Sequence, residues 1–328
     1  MTLMLSASVL HEVLDMPSTV EAVDQIFCDI ALGTATQPAP SAMGVPGVDS
    51  SFIVMPSVAA TPSLASVKLL ADIPSNAERG LPSQRSLIML ADHVTGSPLA
   101  ILDGRVPTRI RTAAATAVAT RHLARAGSKV LGLVGAGNLA VEHVVALRCV
   151  MDVEKIVVWS RTAQRIAEFT SAVAGYGLQV EAAASPEEVI GLSDVVCTLT
   201  PSVQPIIAGR WFRSGQHINA VGARPRPSER EIDAEGMARA RVFVDHWGTA
   251  EAKSGNYLLA LAEGAITNES AAGELGAVVA GQIAGRCDDQ EITLFNSVGI
   301  GALDLAVGKL AYERALEQGL GQHVDLSK

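Results

Sequence analysis

The sequence predicts an α/β protein that combines a doubly wound parallel sheet with a smaller α+β domain. Two observations carry this prediction. A short apolar run, VLGLV, leads into the glycine-containing segment GAGNLA, and strand-like and helix-like segments alternate from there on, as a parallel sheet requires. The segments before this run are mostly strand-like, with turns between them. We therefore expect a Rossmann-type domain preceded by a separate domain.

Composition limits the functions that the chain can have. The 328 residues suffice for about two domains, and a formal charge of -9 with 4% aromatic residues argues against nucleic acid as a partner. No apolar run is long enough to cross a membrane, and the N-terminus lacks the basic start of a signal peptide. We therefore expect a cytoplasmic protein without a membrane partner. The four cysteines lie far apart, which indicates free thiols.

The first domain is predicted to comprise residues 1–118 together with 305–328. Helical spacing of apolar residues predicts a helix over 18–32. Strand-like runs then predict an antiparallel or mixed sheet made of SSFIVMPSV, SLASVKLLADI, RSLIMLADHV and SPLAILDG. The last helical pattern, ALDLAVGKLAYERALEQG, is expected to pack back on this domain, which makes the domain discontinuous in sequence.

The second domain is predicted to span residues 119–304. An alanine-rich helix, VPTRIRTAAATAVATRHLARAG, leads into it. The expected strands are the apolar runs VLGLV, KIVVWS, DVVCTLT, HINAVGA, RVFVD and EITLFNSVG. The segment SAAGELGAVVAGQIAG, which precedes the last of these runs, is expected to form a helix.

The glycine-containing turn predicts a dinucleotide site. Gly135, Gly137 and Ala140 have the G-x-G-x-x-[GA] spacing. The first permits a tight turn, the second lets the backbone approach a pyrophosphate, and the small third residue lets helix and strand pack. We expect these residues, with Asn138 and Leu139, to bind the cofactor at the helix N-terminus. The pattern alone is weak evidence, and the strands that follow strengthen it.

The end of the second strand of this domain predicts which cofactor binds. An acidic residue there would accept hydrogen bonds from a ribose 2'-hydroxyl, whereas a 2'-phosphate needs hydroxyls and a cation. The residues are Ser160, Arg161 and Thr162, with no acid among them. Because arginine pairs well with phosphate, NADP(H) is favoured over NAD(H). The alternative is a hydroxyl that caps the next helix beside a solvated arginine, and the two roles can coexist.

Six motifs spread over nearly the whole chain carry a resemblance to a known family. They are IRTAAATAVAT at 110–120, VGAGNLA at 134–140, HINAVGA at 217–223, SGN at 254–256, ELG at 274–276 and FNSVG at 295–299. In order and spacing they resemble the ornithine cyclodeaminase and mu-crystallin family. The resemblance implies an NAD(P)(H)-dependent enzyme that handles an amino acid and its imine. It also implies a homodimer that pairs through the sheet of the first domain, which would be the substrate-binding and dimerisation domain. We further expect Thr200, Val221, Gly222 and Ser297 to contact the cofactor.

The resemblance implies that Lys68 and Arg111 hold the carboxylate of the substrate. Independently of the family, arginine grips a planar carboxylate through two hydrogen bonds, and Arg111 lies near the start of a predicted helix, where the dipole attracts anions. Without the family, each cation would be interpreted as solvated, and this interpretation is kept for Arg109. Asp304 matches an acid common in the family and is assigned to the catalytic group. The alternative for Asp304 is a charge that complements a helix dipole.

Two departures from the family pattern bear on the activity. Cyclodeaminases carry an aspartate where this chain has Arg224, so a base for attack by a side-chain amine is missing and a ketimine-type reductase is favoured. The segment RPRPSERE, at 224–231, is otherwise interpreted as a solvated loop. An arginine that many members carry before the MP dipeptide is also absent, which leaves the substrate open. His217 and His246 show no metal-ligand spacing, and no metal is predicted.

The predicted function is the NAD(P)H-dependent reduction of the C=N bond of a small, cyclic α-imino acid such as pyrroline-2-carboxylate or piperideine-2-carboxylate. One alternative is an amino acid dehydrogenase of the alanine type, because the sequence does not fix the direction of the reaction. Another is a crystallin-like protein that binds NADPH and a small ligand without turnover. The presence of Lys68 and Arg111 favours an enzyme.

Overall fold

The chain forms two compact units. A computed structural model describes residues 1–61 and 63–326. The first unit comprises Met1–Thr112 and Ile300–Lys328, and the second comprises Ala113–Gly299. The first boundary therefore lies inside the alanine-rich helix, whereas the sequence places it after residue 118. The second boundary lies just before the final helix, whereas the sequence places it after residue 304.

Strands make up most of the first unit, and strands alternate with helices in the second. The strands are β1 Thr2–Leu5, β2 Ala35–Thr36, β3 Ser41–Gly44, β4 Ser51–Ala59, β5 Leu64–Asp72, β6 Gln84–Asp92, β7 Pro98–Asp103, β8 Val130–Val134, β9 Lys155–Trp159, β10 Gln179–Ala182, β11 Val195–Thr198, β12 His217–Ala220, β13 Arg241–Val244, β14 Ala271–Glu274, β15 Thr293–Asn296 and β16 Gln322–Val324. The helices are α1 Ala7–Val13, α2 Met16–Ala31, α3 Arg105–Leu123, α4 Asn138–Leu147, α5 Ala163–Val173, α6 Pro186–Leu192, α7 Ala234–Arg239, α8 Trp247–Lys253, α9 Gly255–Ala262, α10 Leu275–Val279 and α11 Gly301–Gln318. Within the described residues, no helix combines the length and the apolar character needed to cross a bilayer.

One mixed sheet forms the body of the first unit. Its strand order is β16-β1-β7-β6-β5-β4-β2, with β3 paired to β4. The β1–β7 pair is parallel and the other pairs are antiparallel. Along β6, Ile88 and Leu90 are buried whereas Leu87 and Met89 are exposed, because successive side chains of a strand point to opposite faces. Helix α11 packs against β4, β5, β6 and α2, so the final helix belongs to this unit.

A parallel sheet forms the centre of the second unit. Its strand order is β10-β9-β8-β11-β12-β15-β13-β14, and every pair is parallel. The first five strands follow the 3-2-1-4-5 order of a Rossmann-type sheet, so the fold predicted for this part of the chain is confirmed. Strand β15 lies next to β12, and β13, which contains the run RVFVD, therefore lies one position closer to the edge of the sheet. The order reverses between β8 and β11, where a crevice opens at the carboxyl ends of the strands.

Two predicted helices differ from the observed ones. Helix α2 begins before the predicted residue 18 because Asp15 caps it by accepting a hydrogen bond from Ser18 N at 2.8 Å. The helix predicted over SAAGELGAVVAGQIAG is observed only as the short α10, Leu275–Val279. Residues 280–285 are not helical, and the first part of the segment forms β14 along β13. Gly273 there has φ 151°, and a Cβ would lie 2.5 Å from the side chain of Ile283. The pattern of small residues in this segment therefore serves close packing of a strand.

Candidate active site

A buried ion cluster lies in the first unit. Lys68 projects from β5, Arg111 from α3 and Asp304 from the first turn of α11. Lys68 Nζ is 2.6 Å from Asp304 Oδ2, and Arg111 Nε is 3.3 Å from Asp304 Oδ1. The exposed fractions of the three residues are 1%, 6% and 0%. The structure thus brings together the three residues that were predicted to be catalytic.

The start of α11 fixes this cluster. A Cβ on Gly301 would lie 3.0 Å from Met55 O, and Met55 is the strand partner of Lys68. Gln37 Oε1 accepts a hydrogen bond from Ala302 N at 2.7 Å, which holds the first turn of the helix in place. The helix therefore begins directly on the strand pair that carries the lysine. Gln37 was not predicted, because a lone glutamine before a proline gives no sign that it caps a helix far along the chain.

The charges within this cluster do not balance. Two cations share one carboxylate, so one positive charge stays uncompensated among the three residues. Burial lowers the pKa of Lys68 to about 8, with Asp304 raising the pKa and Arg111 lowering it. Because buried charges are costly unless they are paired, an anion that enters the cluster would be stabilised there. A carboxylate fits the geometry and the charge.

The glycine turn between β8 and α4 has the features of an anion site. Gly135 has φ 117°, and a Cβ there would lie 2.8 Å from Leu199 O, so glycine is required. Gly137 precedes α4, no side chain caps this helix, and the space around a Cβ at Gly137 is open. Ala140 is fully buried. Since free N–H groups at a helix start attract anions, the turn from Gly135 to Asn138 fits the pyrophosphate of a dinucleotide.

A pocket of about 750 Å³ lies at this turn. It is lined by residues 135–138, by Ser160 and Arg161 after β9, and by the segment that follows β11. Leu139 and Thr162 were predicted to bind the cofactor but are not among the lining residues. The carbonyl oxygen of Leu139 accepts a hydrogen bond from a buried histidine ring, and Thr162 is the residue before α5.

Arg165 also lines the pocket, although it was not predicted from the sequence. It lies in the first turn of α5, four residues after Arg161, and its Nη1 is 2.9 Å from Glu168 Oε2. The repeat of arginine at one-turn spacing in RTAQR was the available signal. Two cations therefore line the part of the pocket that follows β9.

The loops after β11, β12 and β15 bring together the remaining predicted cofactor residues. Thr200 lines the pocket, and a Cβ on Gly222 would lie 2.2 Å from Thr200 N. Val221 N donates to the last residue of β11 at 3.2 Å, and Ser297 N donates to the last residue of β12 at 3.0 Å. These four residues therefore lie at the carboxyl ends of three neighbouring strands, where open α/β sheets bind ligands.

A buried carboxylate, Glu231, organises two of these loops. It accepts hydrogen bonds from Thr198 Oγ1 at 2.7 Å, from Thr200 N and Oγ1 at 2.8 and 2.7 Å, and from Gly222 N and Ala223 N at 2.8 and 3.0 Å. Its side chain is 0% exposed. The interpretation of residues 224–231 as a solvated loop is therefore wrong for their acidic end. A charged residue within a charged run gave no sign of burial.

Arg224, which the family resemblance placed where cyclodeaminases carry an aspartate, is paired with an acid. Its Nε and Nη2 donate to the two carboxylate oxygens of Glu229 at 2.6 and 3.0 Å. Arg226 Nη1 donates to the same carboxylate at 3.1 Å. The position thus holds a cation that is already paired with an acid. It offers no base for the attack of an amine.

The other residues singled out from the sequence have structural partners. Arg109 is half-buried rather than solvated. His217 is fully buried, with Nδ1 2.9 Å from Thr293 Oγ1 and Nε2 3.1 Å from Asn219 Oδ1, and burial lowers its pKa to about 3. His246 is the residue before α8. Among residues 1–61 and 63–326, no group of three or more His, Cys, Asp or Glu side chains could hold a metal ion.

The strand order and the glycine turn define a Rossmann-type dinucleotide-binding protein, here joined to a unit with a buried cation cluster. The chain belongs to the ornithine cyclodeaminase/mu-crystallin family, whose model matches residues 1–319. The family predicted from the six sequence motifs is thus confirmed.

Similar proteins cover almost the full length of the chain. The Delta(1)-pyrroline-2-carboxylate reductase of Bacillus cereus is 31% identical over 325 residues, which cover 98% of this chain and 99% of the relative. The structure of Thermococcus litoralis Delta(1)-pyrroline-2-carboxylate reductase in complex with NADH and L-proline has a TM-score of 0.93 and 34% identity, covering 98% and 100% of the two chains. An archaeal alanine dehydrogenase dimer with bound NAD has a TM-score of 0.94 and 32% identity, covering 99% of each chain.

Proposed function

We propose that this protein is an NAD(P)H-dependent oxidoreductase that reduces the C=N bond of a small α-imino acid. Cyclic substrates such as pyrroline-2-carboxylate and piperideine-2-carboxylate are the expected class. The observation that carries the proposal is the buried cluster of Lys68, Arg111 and Asp304, whose excess positive charge matches one substrate carboxylate. Two of the three similar proteins described above are reductases of pyrroline-2-carboxylate, which supports the same reaction here.

The cluster would bind and orient the substrate. Asp304 engages the Nε of Arg111, and the guanidinium presents its other donors in a planar fork that matches a carboxylate. Lys68 adds a second donor to the same anion. Because the imine carbon is bonded directly to this carboxylate, holding the anion holds the reacting carbon, and positioning supplies much of the rate.

Lys68 is the proposed proton donor. Each reduction adds a hydride to the imine carbon and a proton to the nitrogen, and the bound nicotinamide cofactor supplies the hydride. With a pKa of about 8, Lys68 carries a proton at neutral pH and releases it more readily than an ordinary lysine. Asp304 keeps the ammonium group in place through their ion pair at 2.6 Å.

NADP(H) is the proposed cofactor, in preference to NAD(H). Ser160, Arg161 and Arg165 line the pocket after β9, where a 2'-phosphate needs cations and hydroxyls. The Arg161→Ala variant should weaken the binding of NADPH by about tenfold and change that of NADH little, because only NADPH carries the phosphate. The dissociation constants of both cofactors measure this effect. Arg210→Ala, which removes an arginine that stacks on Trp211, is the control, and an equal loss for both cofactors in Arg161→Ala would contradict the assignment.

An alanine-type dehydrogenase is the second candidate. The archaeal alanine dehydrogenase is 32% identical over 99% of both chains, and the sequence does not fix the direction of the reaction. Ornithine cyclodeaminase activity is not proposed, because Arg224 is paired with Glu229 where that reaction needs a base.

A spectrophotometric assay separates the candidates. The protein is mixed with NADPH or NADH and with pyrroline-2-carboxylate, piperideine-2-carboxylate, or pyruvate plus ammonia, and oxidation of the cofactor is followed by its absorbance. Turnover with the cyclic imino acids supports the reductase. Turnover with pyruvate and ammonia alone would favour the dehydrogenase. Tight binding of NADPH without turnover of any imino acid would favour a crystallin-like binding protein.

A second copy of the chain is the proposed partner of the exposed sheet face in the first unit. Phe52, Leu69, Leu87 and Met89 are each at least 40% exposed, and Leu69 lies opposite Leu87 in the sheet. Exposed apolar patches of this kind mark interaction surfaces, and the similar archaeal alanine dehydrogenase is a dimer. The Leu87→Glu variant should sediment as a monomer, and Leu316→Glu, on an exposed part of α11, should not. The same mass for all three proteins would contradict the interface.

The cytoplasmic location expected from the sequence stays a prediction.

A further inference from the structure

Glu231 is a buried carboxylate that accepts hydrogen bonds from neutral groups. Its five hydrogen-bond donors are backbone N–H groups and threonine hydroxyls, at 2.7–3.0 Å. Three of them, from Thr200, Gly222 and Ala223, are backbone N–H groups, which can only donate. Burial raises the pKa of the Glu231 carboxyl, while the hydrogen bonds from Thr200, Thr198 and Gly222 lower it. Because an ionised carboxylate only accepts, this set of donors favours the ionised form. The negative charge is therefore stabilised by dipoles and not by a cation among these donors.

A second layer of hydrogen bonds fixes the position of this charge. Asn256 Oδ1 accepts from Glu231 N at 3.0 Å and from Ile232 N at 3.2 Å. Asn256 Nδ2 in turn donates to Asn296 Oδ1 at 3.0 Å. A Cβ on Gly255 would lie 2.0 Å from Glu229 O, so the loop that carries Glu231 packs directly against the start of α9. The carboxylate cannot turn away from β11 and β12 without breaking these contacts.

The Glu231 carboxylate lies at the ends of β11 and β12, in the half of the sheet that binds one of the two mononucleotides of a dinucleotide. In a Rossmann-type sheet, β8 to β10 receive one mononucleotide and the strands from β11 onward receive the other. The glycine turn and the arginines of the pocket belong to the first half, so the second half, with β11 and β12, is left for the nicotinamide. Thr200 and Gly222, which donate hydrogen bonds to Glu231, are two of the residues after these strands that are predicted to contact the cofactor.

The redox state of a nicotinamide changes its charge. The ring is neutral in the reduced cofactor and carries a positive charge in the oxidised one. A fixed negative charge nearby therefore stabilises the oxidised form and favours hydride donation. We propose that the Glu231 carboxylate, held at the ends of β11 and β12, acts as a positioning and electrostatic residue that lowers the reduction potential of the bound cofactor. This inference rests on the proposed nicotinamide-dependent function.

The affinity ratio of the two redox forms tests the proposal. Dissociation constants of oxidised and reduced cofactor are measured for the wild type and for Glu231→Gln, with no imino acid present. A unit charge about 10 Å away, at an effective dielectric constant of about 20, changes an equilibrium roughly tenfold. The variant should therefore lose about tenfold more affinity for the oxidised than for the reduced form. Equal losses for both forms, or a larger loss for the reduced form, would overturn the proposal.

Two control variants separate charge from shape. Thr198→Val removes one donor but keeps the carboxylate, so it should weaken both redox forms equally. Asp194 is another carboxylate of the same sheet, which accepts from Lys129 N and Val130 N, both at 3.0 Å. It lies at the amino ends of β8 and β11, about one strand length or 13 Å from the carboxyl ends that hold Glu231. Asp194→Asn should therefore change the affinity ratio much less than Glu231→Gln, and an equal change would overturn the proposal.

The test remains decisive if Glu231→Gln does not fold. Glu231→Ala removes the same charge and leaves room for water to satisfy the N–H groups, and it should shift the ratio in the same direction. If neither variant folds, the carboxylate serves stability and the proposal is overturned. Because the measurement needs no substrate, a protein that binds cofactor but reduces no imino acid would refute the proposed reaction and leave this test intact.

Discussion

Removal of the Asp304 carboxylate should shift the pH dependence of activity. The Asp304→Asn variant loses the acid that lies 2.6 Å from Lys68 and 3.3 Å from Arg111. Asp304 raises the pKa of Lys68, so the pKa should fall below about 8 without it. A charge pair about 4 Å apart is worth roughly 4 kcal/mol at an effective dielectric constant of about 20, and about 1.4 kcal/mol corresponds to one pKa unit. Since water entering the site recovers part of this energy, we expect a fall of about 1 to 2 units.

The basic limb of the pH profile reports this shift. If Lys68 must be protonated to react, kcat/KM of the wild type with a cyclic imino acid declines above about pH 8, and that of Asp304→Asn declines at lower pH. Loss of folded protein scales the profile down without moving the limb. Glu317→Gln changes an exposed acid on the same helix and should leave the limb in place. If the basic limb of Asp304→Asn lies at the same pH as that of the wild type, or at a higher pH, the assignment of Lys68 and Asp304 as a coupled pair is refuted.

Three further variants test other parts of the structure. Arg111→Ala should lower kcat/KM for the imino acid by about 10- to 100-fold, because a charged hydrogen bond is lost. Steady-state kinetics measure this loss, and Arg105→Ala, which changes an exposed arginine on the same helix, is the control. Gly137→Ala has room for its methyl group, so its thermal midpoint should stay at the wild-type value while its cofactor dissociation constant rises at least about tenfold, unlike Gly175→Ala, which has the same room. Burial lowers the pKa of His143 to about 4. In the unfolded chain this imidazole binds a proton below about pH 6.5, so the free energy of unfolding is highest above this pH and falls as the pH drops towards 4. The thermal midpoint of His143→Gln should therefore fall less than that of the wild type between pH 7 and pH 5.

Local patterns made part of the fold and of the site predictable. The spacing of Gly135 and Gly137 and the alternation of strands and helices needed no knowledge of distant contacts. The order of the first five strands follows from the rules for parallel sheets, whereas the position of β15 between β12 and β13 does not. Lys68 and Arg111 were found through motifs shared with a family. Glu231 was missed because its partners are backbone groups after β11 and β12, and its neighbours in sequence are charged and polar. Burial of a lone acid is set by tertiary contacts that a single sequence does not display.

The charge balance of the first cluster also makes a prediction about stability. Lys68 and Asp304 form a balanced pair at 2.6 Å, and Arg111 adds a positive charge that costs free energy as long as no anion is bound. Arg111→Met fills similar space without a charge, so the protein without ligands should be as stable as the wild type or more stable by about 1 to 2 kcal/mol. Its kcat/KM for imino acids should fall about 10- to 100-fold, as in Arg111→Ala. Asp304→Asn should instead destabilise the protein, because it leaves two cations without an acid. Denaturant unfolding of both variants measures the difference. If Arg111→Met unfolds at a lower denaturant concentration than the wild type, the guanidinium stabilises the fold. The expectation that its charge destabilises the protein without ligands would then be refuted.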